Sequence, residues 1–383
     1  MNVVIITGNK YPQEDAGAIR QHSTAKLFKM LDYDPIVLGY GKSTNGKVSV
    51  YDGIKYNSFR PSSNNIIIRV LYRYFFINRV VHYIKKNIKS VDVLLVVDIL
   101  PKDFKKIVKI ANCYHAKLVH DSVEWYSPEE FTNGEKNRSF RNKEYTNTKA
   151  VGDGWRVIAI SRYLEEHFKN KCIKVTRIPV IMDVLSIEPS ISCTNKKVMF
   201  VYAGGPGKKD YLDTIIDAFL LLSASERQMV EFHIIGVNRN QLINMCGVDA
   251  EKIDMLNDLL TIHGRLPQKD AIAFVKQASF TILIRDETLR YSKAGFPTKV
   301  VESLACGTPV ICNFTSDLNE YLVDSENSII VDGHRSDDVY RALQYSINID
   351  KVAYAKLRDN ARKTAERFFD YRDYVNSLKE LLV

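Results

Sequence analysis

Short apolar runs alternate with longer amphipathic stretches along the whole chain, and this alternation restricts the fold more than any other feature of the sequence. The runs lie at residues 2–7, 35–39, 91–97, 117–120, 156–161, 197–203, 230–236, 260–263, 280–284 and 309–312. Continuous apolar strands that alternate with helices form mostly parallel sheets with helices on both faces. Because the pattern pauses after residue 161 and restarts at residue 197, the sequence predicts two doubly wound α/β domains facing a cleft.

The length of the chain supports this division. A chain of 383 residues is too long for one ordinary hydrophobic core and fits two domains. We place the first domain at residues 1–180 and the second at residues 190–365. Ligands of open α/β sheets bind at the carboxyl ends of the strands, so polar residues that directly follow a strand are the first candidates for a site.

Composition and the first residues favour a protein of the cytoplasm. No apolar run approaches the roughly 18 residues that a membrane-spanning helix needs, and the start, MNVVIITG, lacks the basic segment of a secretory signal. The six cysteines contain no Cys-x-x-Cys pair. We therefore predict reduced thiols in the protein core, with neither a disulfide framework nor a zinc site.

Positive charge is concentrated in the first half of the chain. Residues 1–190 contain 30 lysines and arginines and 19 acidic residues, whereas the rest of the chain contains 24 and 26. Such an excess indicates an anionic partner, which can be a phosphorylated substrate, a membrane surface or nucleic acid; solubility alone is the simpler explanation. Because the sequence contains no recognised nucleic-acid-binding motif, we expect no nucleic-acid partner.

A basic segment rich in aromatic residues, residues 68–89, is predicted to be one helix. Its arginines and lysines can face anionic lipid while Tyr72, Phe75 and Phe76 enter the membrane interface. This would place the protein on the inner face of the cell membrane. The alternative is an ordinary surface helix whose aromatic residues face the core.

Residues 293–313 form the most informative stretch, which is predicted to be a loop, a short helix and a buried strand. Gly295 permits a turn, and Pro297 suits the first position of a helix. The apolar residues that follow recur at helical spacing, and Gly307 is placed to end the helix in a left-handed conformation.

The start of this helix has the chemistry of a phosphate site. Its free N–H groups and partial positive charge favour an anion. Lys299 adds a full charge, and Glu302, one turn further on, can accept hydrogen bonds from sugar hydroxyls. Any α/β protein can contain a loop, helix and strand in this order, but charged residues at the mouth of an otherwise apolar helix favour a site.

A glycine-rich turn follows the strand predicted at residues 197–203. It contains Gly204 and Gly205, and Lys208 and Lys209 precede a helix predicted to begin near Asp210. Backbone amides and a lysine can meet phosphates in such a turn. The sequence matches neither the P-loop nor the dinucleotide-binding fingerprint.

Five further residues lie where the predicted strands meet loops and helices. Arg285 follows the strand at residues 280–284 and can add positive charge to the glycine-rich turn, a role that Arg290 can also fill. His120 ends another strand, on the ligand side of the sheet. Gly17 allows close approach of the backbone before a helix, and Arg20 lies one turn inside that helix.

The segment Gly295-Phe-Pro-Thr-Lys-Val-Val-Glu302, followed by Ser-Leu-Ala-Cys-Gly-Thr-Pro-Val, resembles the donor-binding signature of GT-B glycosyltransferases of family 4. The resemblance implies two Rossmann-like domains, and a C-terminal segment at about residues 366–383 that packs back on the first domain. It also implies that Glu302 binds the ribose of a nucleotide sugar. The family has a second glutamate eight positions earlier, where this chain has Ala294.

The resemblance implies roles for residues elsewhere in the chain. Lys209 corresponds to a lysine that holds the diphosphate, His120 to a histidine that contacts the donor sugar, and Arg265 to a turn near the base. The implied donor-binding set is Gly17, Gly204, Gly205, Lys209, Arg265, Arg285, Gly295, Phe296, Pro297, Thr298, Lys299 and Glu302. On the acceptor side we place Arg20, together with Glu124 and Trp125, because a tryptophan stacks well on sugar rings.

We therefore predict a glycosyltransferase that moves a sugar from a nucleotide diphosphate sugar to a hydroxyl of a glycan or lipid-linked acceptor. Transfer would retain the anomeric configuration, need no metal or other cofactor, and serve cell-surface polysaccharide or glycolipid synthesis. Lys209 and Arg285 would neutralise the leaving diphosphate, and His120 is the third candidate catalytic residue.

Two alternatives share the fold. A nucleotide-sugar epimerase would need acid–base carboxylates in the cleft, and a non-catalytic partner subunit is favoured by Ala294.

Overall fold

The computed structural model describes residues 1–12, 15–44, 46–190 and 197–383. Two α/β units are present. The first consists of residues 1–126, 135–183 and 370–383, and the second of residues 127–134 and 184–369. The segment 127–134, which the sequence-based division placed in the first domain, belongs to the second unit.

An eight-stranded sheet forms the centre of the first unit. Its strands are β1 (Asn2–Thr7), β2 (Asp34–Lys42), β3 (Ser49–Tyr51), β4 (Ile54–Arg60), β5 (Val93–Val97), β6 (Lys117–Ser122), β7 (Trp155–Ala159) and β8 (Lys174–Arg177). Their order is β3-β4-β2-β1-β5-β6-β7-β8, and every neighbouring pair is parallel except β3 and β4. The central strands β1 and β5 are apolar and almost entirely buried, as expected of parallel strands covered on both faces.

Among the described residues, six α-helices connect these strands. They are α1 (Ala16–Met30), α2 (Ile66–Tyr74), α3 (Phe76–Asn87), α4 (Phe104–Tyr114), α5 (Arg138–Tyr145) and α6 (Arg162–Asn170). Helix α1 begins where the Asp15 side chain accepts a hydrogen bond from the Ala18 amide at 2.8 Å, which satisfies one of the unpaired amides of the first turn.

The prediction of one continuous helix over residues 68–89 was wrong. The segment is divided into α2 and α3, with Phe75 between them. The division follows burial: Phe76, Ile77 and Val80 of α3 are buried in the first unit, whereas no residue of α2 is buried. Of the aromatic residues expected at a membrane interface, Phe76 therefore faces the core and Phe75 is exposed.

The second unit contains a six-stranded sheet whose paired strands are all parallel. Its strands are β9 (Val198–Ala203), β10 (Val230–Ile235), β11 (Leu260–Gly264), β12 (Phe280–Leu283), β13 (Val310–Cys312) and β14 (Ile329–Ile330), in the order β11-β10-β9-β12-β13-β14. Its helices are α7 (Leu212–Leu220), α8 (Ala224–Gln228), α9 (Arg239–Cys246), α10 (Ala250–Asp254), α11 (Gln268–Gln277), α12 (Arg290–Ala294), α13 (Thr298–Ala305), α14 (Ser336–Asn348) and α15 (Lys351–Phe368).

The last helix, α16 (Val375–Leu382), belongs to the first unit. Its residues Leu378, Leu381 and Leu382 are buried in the same hydrophobic core as Val3 and Ile5 of β1. The chain therefore completes the core of its first unit only with its final residues.

Two expectations from composition can be compared with the structure. Cys306 and Cys312 are buried, but Cys113 and Cys172 are exposed, so the prediction that the cysteines are core residues was wrong for these two; Cys193 lies outside the described residues. Within the described ranges, no helix combines the length and apolarity that crossing a membrane requires.

Candidate functional site

Backbone and side chains crowd together at the carboxyl edge of the second sheet, where β9, β10 and β12 end. Gly204 follows β9 with φ +141°, and a Cβ there would collide with the Lys299 side chain. Gly236 follows β10 with φ +110°, and a Cβ there would collide with the Gly204 carbonyl. The turn after β9 lies directly against Lys299 of α13. For this reason only glycine fits at both positions.

A buried carboxylate, Asp210, organises the positive charges at this edge. Its oxygens lie 2.6 Å from Arg285 Nε and 2.5 Å from Lys299 Nζ, and the Tyr202 hydroxyl donates to it at 2.6 Å. Burial opposes ionisation of Asp210, but the charges of Arg285 and Lys299 outweigh it and lower the pKa of the carboxyl well below its ordinary value. The cluster of Arg285, Lys299 and Asp210 therefore carries a net charge of about +1.

Sequence reasoning missed Asp210 as a functional residue and used it only to mark a helix start. The signal that could have found it was the predicted convergence of Arg285 and Lys299 on one sheet edge. Two cations that are mostly shielded from water need a counter-charge, and Asp210 is the acid in the adjacent glycine-rich turn.

Glu302 lies one turn after Lys299 on α13 and lines a narrow crevice with Lys299, Val201 and Ala203. Burial raises the pKa of its carboxyl to about 7, and the charge of Lys299 only partly opposes this shift. Within the described residues, none donates a hydrogen bond to this carboxylate. Glu302 thus presents unused acceptor atoms beside the charged cluster.

Among the described residues, no side chain caps the N-terminus of α13. Its N-cap residue is Pro297, which provides no side-chain hydrogen bond to the first turn, and the helix begins at Thr298 rather than at the proline. Gly295 ends α12 in a bend with φ −85°, which is a backbone angle that does not require glycine. Phe296 is buried against Tyr321 and Phe369, where it anchors the loop.

Lys209 and the two glycines of the turn lie near the same edge. The Lys209 ammonium is 3.0 Å from a carboxylate oxygen of Glu130 and lies over the Tyr291 ring. Gly205 is exposed and has open space around it. Arg265 follows β11 and is also exposed.

One group of side chains in the described part of the chain has the arrangement of metal ligands. Asp286, Glu287 and His334 bring one ligand atom each to within 4.8 Å of one another. His334 Nδ1 lies 3.1 Å from Glu287, and the Tyr211 hydroxyl lies 3.3 Å from Asp286. These contacts account for the geometry, so the group does not by itself indicate a metal.

Two residues of the first unit that were predicted to lie on the acceptor side, Arg20 and Trp125, are buried and hydrogen-bonded to other protein groups. Arg20 is buried and donates to both oxygens of Asp121 and to the carbonyls of Ile178 and Pro179. Trp125 is buried and donates from Nε1 to Glu144 at 2.8 Å.

Gly17 and Glu124 were also predicted to lie near a ligand in the first unit. A Cβ on Gly17 would collide with the side chain of Asn9, which would have to move. Glu124 is half-buried.

His120 differs from these residues because it lines a cavity. The imidazole is buried, and its Nδ1 has no hydrogen-bond partner among the described residues. Strand β6 continues to Ser122, so His120 does not end the strand as predicted. The cavity has a volume of about 410 Å³.

Sequence comparison finds relatives for the second unit. Residues 187–367 match the family model of glycosyl transferases group 1. The D-inositol 3-phosphate glycosyltransferase of Rhodococcus opacus is 34% identical over 99 residues, which are 26% of this chain and 21% of that protein. The match therefore spans about a fifth of the length of this curated relative.

Structural comparison finds neighbours for the whole chain. Sucrose-phosphate synthase from Thermosynechococcus elongatus superposes with a TM-score of 0.75 at 13% identity, covering 99% of this chain and 98% of that one. HepE of Anabaena, in complex with UDP and glucose, superposes with a TM-score of 0.68 at 13% identity, covering 100% and 99%. At such identities the likeness establishes the fold, and the predicted fold class is confirmed.

Proposed function

We propose, given that residues 187–367 match the group 1 glycosyl transferases and that the whole chain has the GT-B fold, that this protein transfers a sugar from a nucleotide diphosphate sugar to a hydroxyl acceptor. The observation that carries the proposal is Glu302. Its carboxylate accepts no hydrogen bond from the described residues and stands one turn inside α13, whose N-terminus has no side-chain cap among those residues. A carboxylate with free acceptor atoms beside a phosphate-binding helix end suits the hydroxyls of a ribose.

The positive groups nearby suit the diphosphate. Amides at the N-terminus of α13 and the side chains of Lys299 and Arg285 would neutralise the charge that develops on the leaving diphosphate. Asp210 would hold the two cations in place, as its contacts of 2.5 and 2.6 Å indicate. Because the chain supplies this charge itself, we propose a transfer without a bound metal. We propose retention of the anomeric configuration from the resemblance to family 4.

The proposal also names a donor nucleotide and a biosynthetic pathway. HepE of Anabaena shares the fold and was crystallised with UDP and glucose, which supports a uridine nucleotide as the first donor to try. We place the reaction in the synthesis of cell-surface polysaccharide or glycolipid.

Nucleotide affinity is expected to rise with pH through the neutral range. The pKa of Glu302 is raised to about 7, so at pH 6 only about a tenth of the carboxylate is ionised. UDP should therefore bind several-fold more weakly at pH 6 than at pH 8, as measured by isothermal titration calorimetry. The Glu302→Gln variant should not show this dependence, and an equal pH dependence in both proteins would contradict the assignment of Glu302 to the ribose.

A non-catalytic partner subunit is the second candidate, and Ala294 favours it. This residue is fully buried in α12 and offers no carboxylate where related enzymes have one. Such a subunit would bind the nucleotide without releasing sugar from it. Incubation with the bound nucleotide sugar and an acceptor extract, followed by measurement of nucleoside diphosphate release, separates the two functions.

We further propose that α2 docks the protein on an anionic lipid surface. Ile66, Ile67, Val70, Leu71 and Tyr74 follow each other at helical spacing and are 44–75% exposed. Exposed cations lie nearby: Arg69 on α2, and Lys85 and Lys86 on α3. An apolar helix face beside basic residues has the composition of a helix that lies in a membrane interface.

The double variant Ile67→Ser/Leu71→Ser is expected to lose vesicle binding. Each substitution removes an apolar side chain worth about 1.5–3 kcal/mol when buried, so partitioning should fall on the order of 100-fold. Flotation with vesicles that contain phosphatidylglycerol measures the effect. Val352→Ser is the control, because Val352 is 80% exposed on α15 of the other unit. Failure of the wild-type protein to float would contradict the proposal.

A further inference from the structure

A short segment from the first half of the chain, residues 127–134, belongs to the second unit; we call it the strap. It begins with one turn of 3₁₀-helix, Pro128–Glu130, in which the Ser127 amide donates to the Glu130 carboxylate at 2.7 Å. Ser127 and the side chain of Glu130 are buried, with exposed fractions of 2% and 4%. The strap is therefore packed into the second unit, although the chain on either side of it belongs to the first.

Ser127 joins the strap to α12. Its hydroxyl oxygen accepts a hydrogen bond from the Tyr291 amide at 3.1 Å. That amide lies in the first turn of α12, and the helix receives no side-chain hydrogen bond from its own N-cap residue, Leu289. Ser127 thus fills the role of an N-cap serine from a position 164 residues away in the chain.

Glu130 joins the strap to the glycine-rich turn after β9. A carboxylate oxygen of Glu130 lies 3.0 Å from Lys209 Nζ, and the Lys209 side chain is 26% exposed. Tyr291 contacts the same lysine twice: the ammonium lies 5.7 Å from the centroid of its ring, and its hydroxyl donates to the Lys209 carbonyl at 3.2 Å. The strap, α12 and the glycine-rich turn are therefore joined in one ring of contacts.

The position of Lys209 connects this ring to the proposed nucleotide site. Lys209 directly precedes Asp210, the carboxylate that contacts Arg285 and Lys299. The cluster around Asp210 carries a net charge of about +1, whereas a diphosphate carries about two negative charges or more. Lys209 is the next cation along the turn and would complete the neutralisation, but its charge is balanced by Glu130.

The two members of this ion pair differ in how readily each can change partner. A lysine side chain is long and flexible, and its ammonium has three donors that rotate freely; Lys209 is also partly exposed. The Glu130 carboxylate is buried, and a buried charge that loses its partner destabilises the folded state strongly. If Lys209 turns to a phosphate, Glu130 must therefore move into water, and the first turn of the strap moves with it.

We propose that Glu130 is a positioning residue that holds Lys209 until a diphosphate takes its place, and that this exchange releases the strap. The ammonium of Lys209 then contacts the diphosphate, and the strap loses the ion pair that fixes it to the glycine-rich turn. The inference rests on the proposed function for the identity of the ligand as a nucleotide. The exchange itself requires only an anion with the charge of a diphosphate.

Isothermal titration calorimetry of the full chain with UDP and with inorganic pyrophosphate tests the exchange. Glu130→Gln keeps an oxygen for the Ser127 amide but removes the charge that holds Lys209. Both probes should therefore bind this variant about fivefold to tenfold more tightly than the wild-type protein. A merely structural role predicts the opposite sign, so equal or weaker binding in Glu130→Gln would overturn the proposal.

Two further variants show whether the effect passes through Lys209. Glu129→Gln removes an exposed charge from the same turn of the strap and should leave both affinities unchanged. In a Lys209→Gln background, the additional change Glu130→Gln should have no effect on either probe. An equal gain in Glu129→Gln, or a gain that persists without Lys209, would show that long-range charge is the cause and would overturn the proposal.

Hydrogen exchange in the wild-type protein measures the release of the strap. The amides of Ser127 and Tyr291 are hydrogen-bonded while the strap is in place, so both should exchange slowly. Saturation with the probe that binds should speed exchange in peptides that cover residues 127–131 and 290–294. Slower or unchanged exchange at saturation would overturn the release. This measurement does not depend on the folding of any variant.

The two probes separate this inference from the proposed function. If UDP does not bind but pyrophosphate behaves as described, the proposed function is wrong and the exchange stands. If UDP binds but Glu130→Gln shows no gain with either probe, the proposed function stands and the exchange is wrong. Failure of both probes to bind the wild-type protein and Glu130→Gln would overturn both.

Discussion

Replacing Asp210 by alanine is expected to destabilise the second unit by about 3–5 kcal/mol, the usual cost of removing one partner from a buried ion pair. The substitution leaves Arg285 and Lys299 close together without the carboxylate that now lies 2.6 and 2.5 Å from them. It also removes the acceptor of the Tyr202 hydroxyl. The calorimetric melting temperature of this unit should fall by about 10 °C.

The control for this prediction is Asp359→Ala. Asp359 forms an exposed pair with Lys363 on α15, at 2.6 Å, and an exposed pair contributes about 0–1 kcal/mol. Equal losses in the two variants would show that Asp210 does not organise the charged cluster.

The pH dependence of the Asp210 variant has a defined sign. The pKa of Asp210 is lowered in the folded protein, so its stabilising contribution is fully present above the unfolded pKa of about 3.9. The contribution is lost as the pH falls through the folded value. The stability difference between the wild-type protein and Asp210→Ala should therefore be constant from pH 7 down to about pH 5 and narrow in stronger acid.

Replacing Glu302 by glutamine is expected to weaken UDP binding about 100-fold. The carboxylate would lose two hydrogen bonds to ribose hydroxyls, each charge-assisted and worth about 1.5–3 kcal/mol. The amide oxygen of glutamine recovers part of this loss. The expected weakening of UDP binding therefore corresponds to the lower end of that energy range. Isothermal titration calorimetry at pH 8, where the wild-type carboxylate is mostly ionised, measures the effect.

Two controls exclude loss of folding as the cause of weaker UDP binding. The raised pKa of Glu302 means that its ionised form costs the folded state energy, so Glu302→Gln should be at least as stable as the wild-type protein at pH 8. Glu251→Gln, an exposed change on α10, should leave UDP binding unchanged. Normal UDP affinity in Glu302→Gln would remove the main support for the proposed function.

The order of strands and helices was predictable because its signal is local. Parallel strands buried on both faces are continuous apolar runs, and β1, β5 and β9 are of this kind. The left-handed Gly307, with φ +70°, ended α13 where the sequence indicated. Strands β3, β4 and β8 were missed because polar residues interrupt them. Strand β14 was missed because it has only two residues.

The candidate site was predictable only in part, because its contacts join distant segments. The segment around Glu302 was found from the motif, but the pairing of Lys299 with Asp210 spans 89 residues and has no local pattern. The pairing of Arg20 with Asp121 spans 101 residues and likewise has no local pattern. The break at Phe75 also has no local signal in the sequence. It depends on whether the rest of the first unit covers α2 or α3.

A titration of the wild-type protein with a panel of nucleoside diphosphates tests the central claim most directly, because the claim is that the second unit holds the nucleotide of a sugar donor. One base should bind with micromolar affinity, and its nucleotide sugar should compete for the same site. If none of the nucleoside diphosphates binds at millimolar concentration, the carboxyl edge of the second sheet is not a donor site, and the proposed function is wrong.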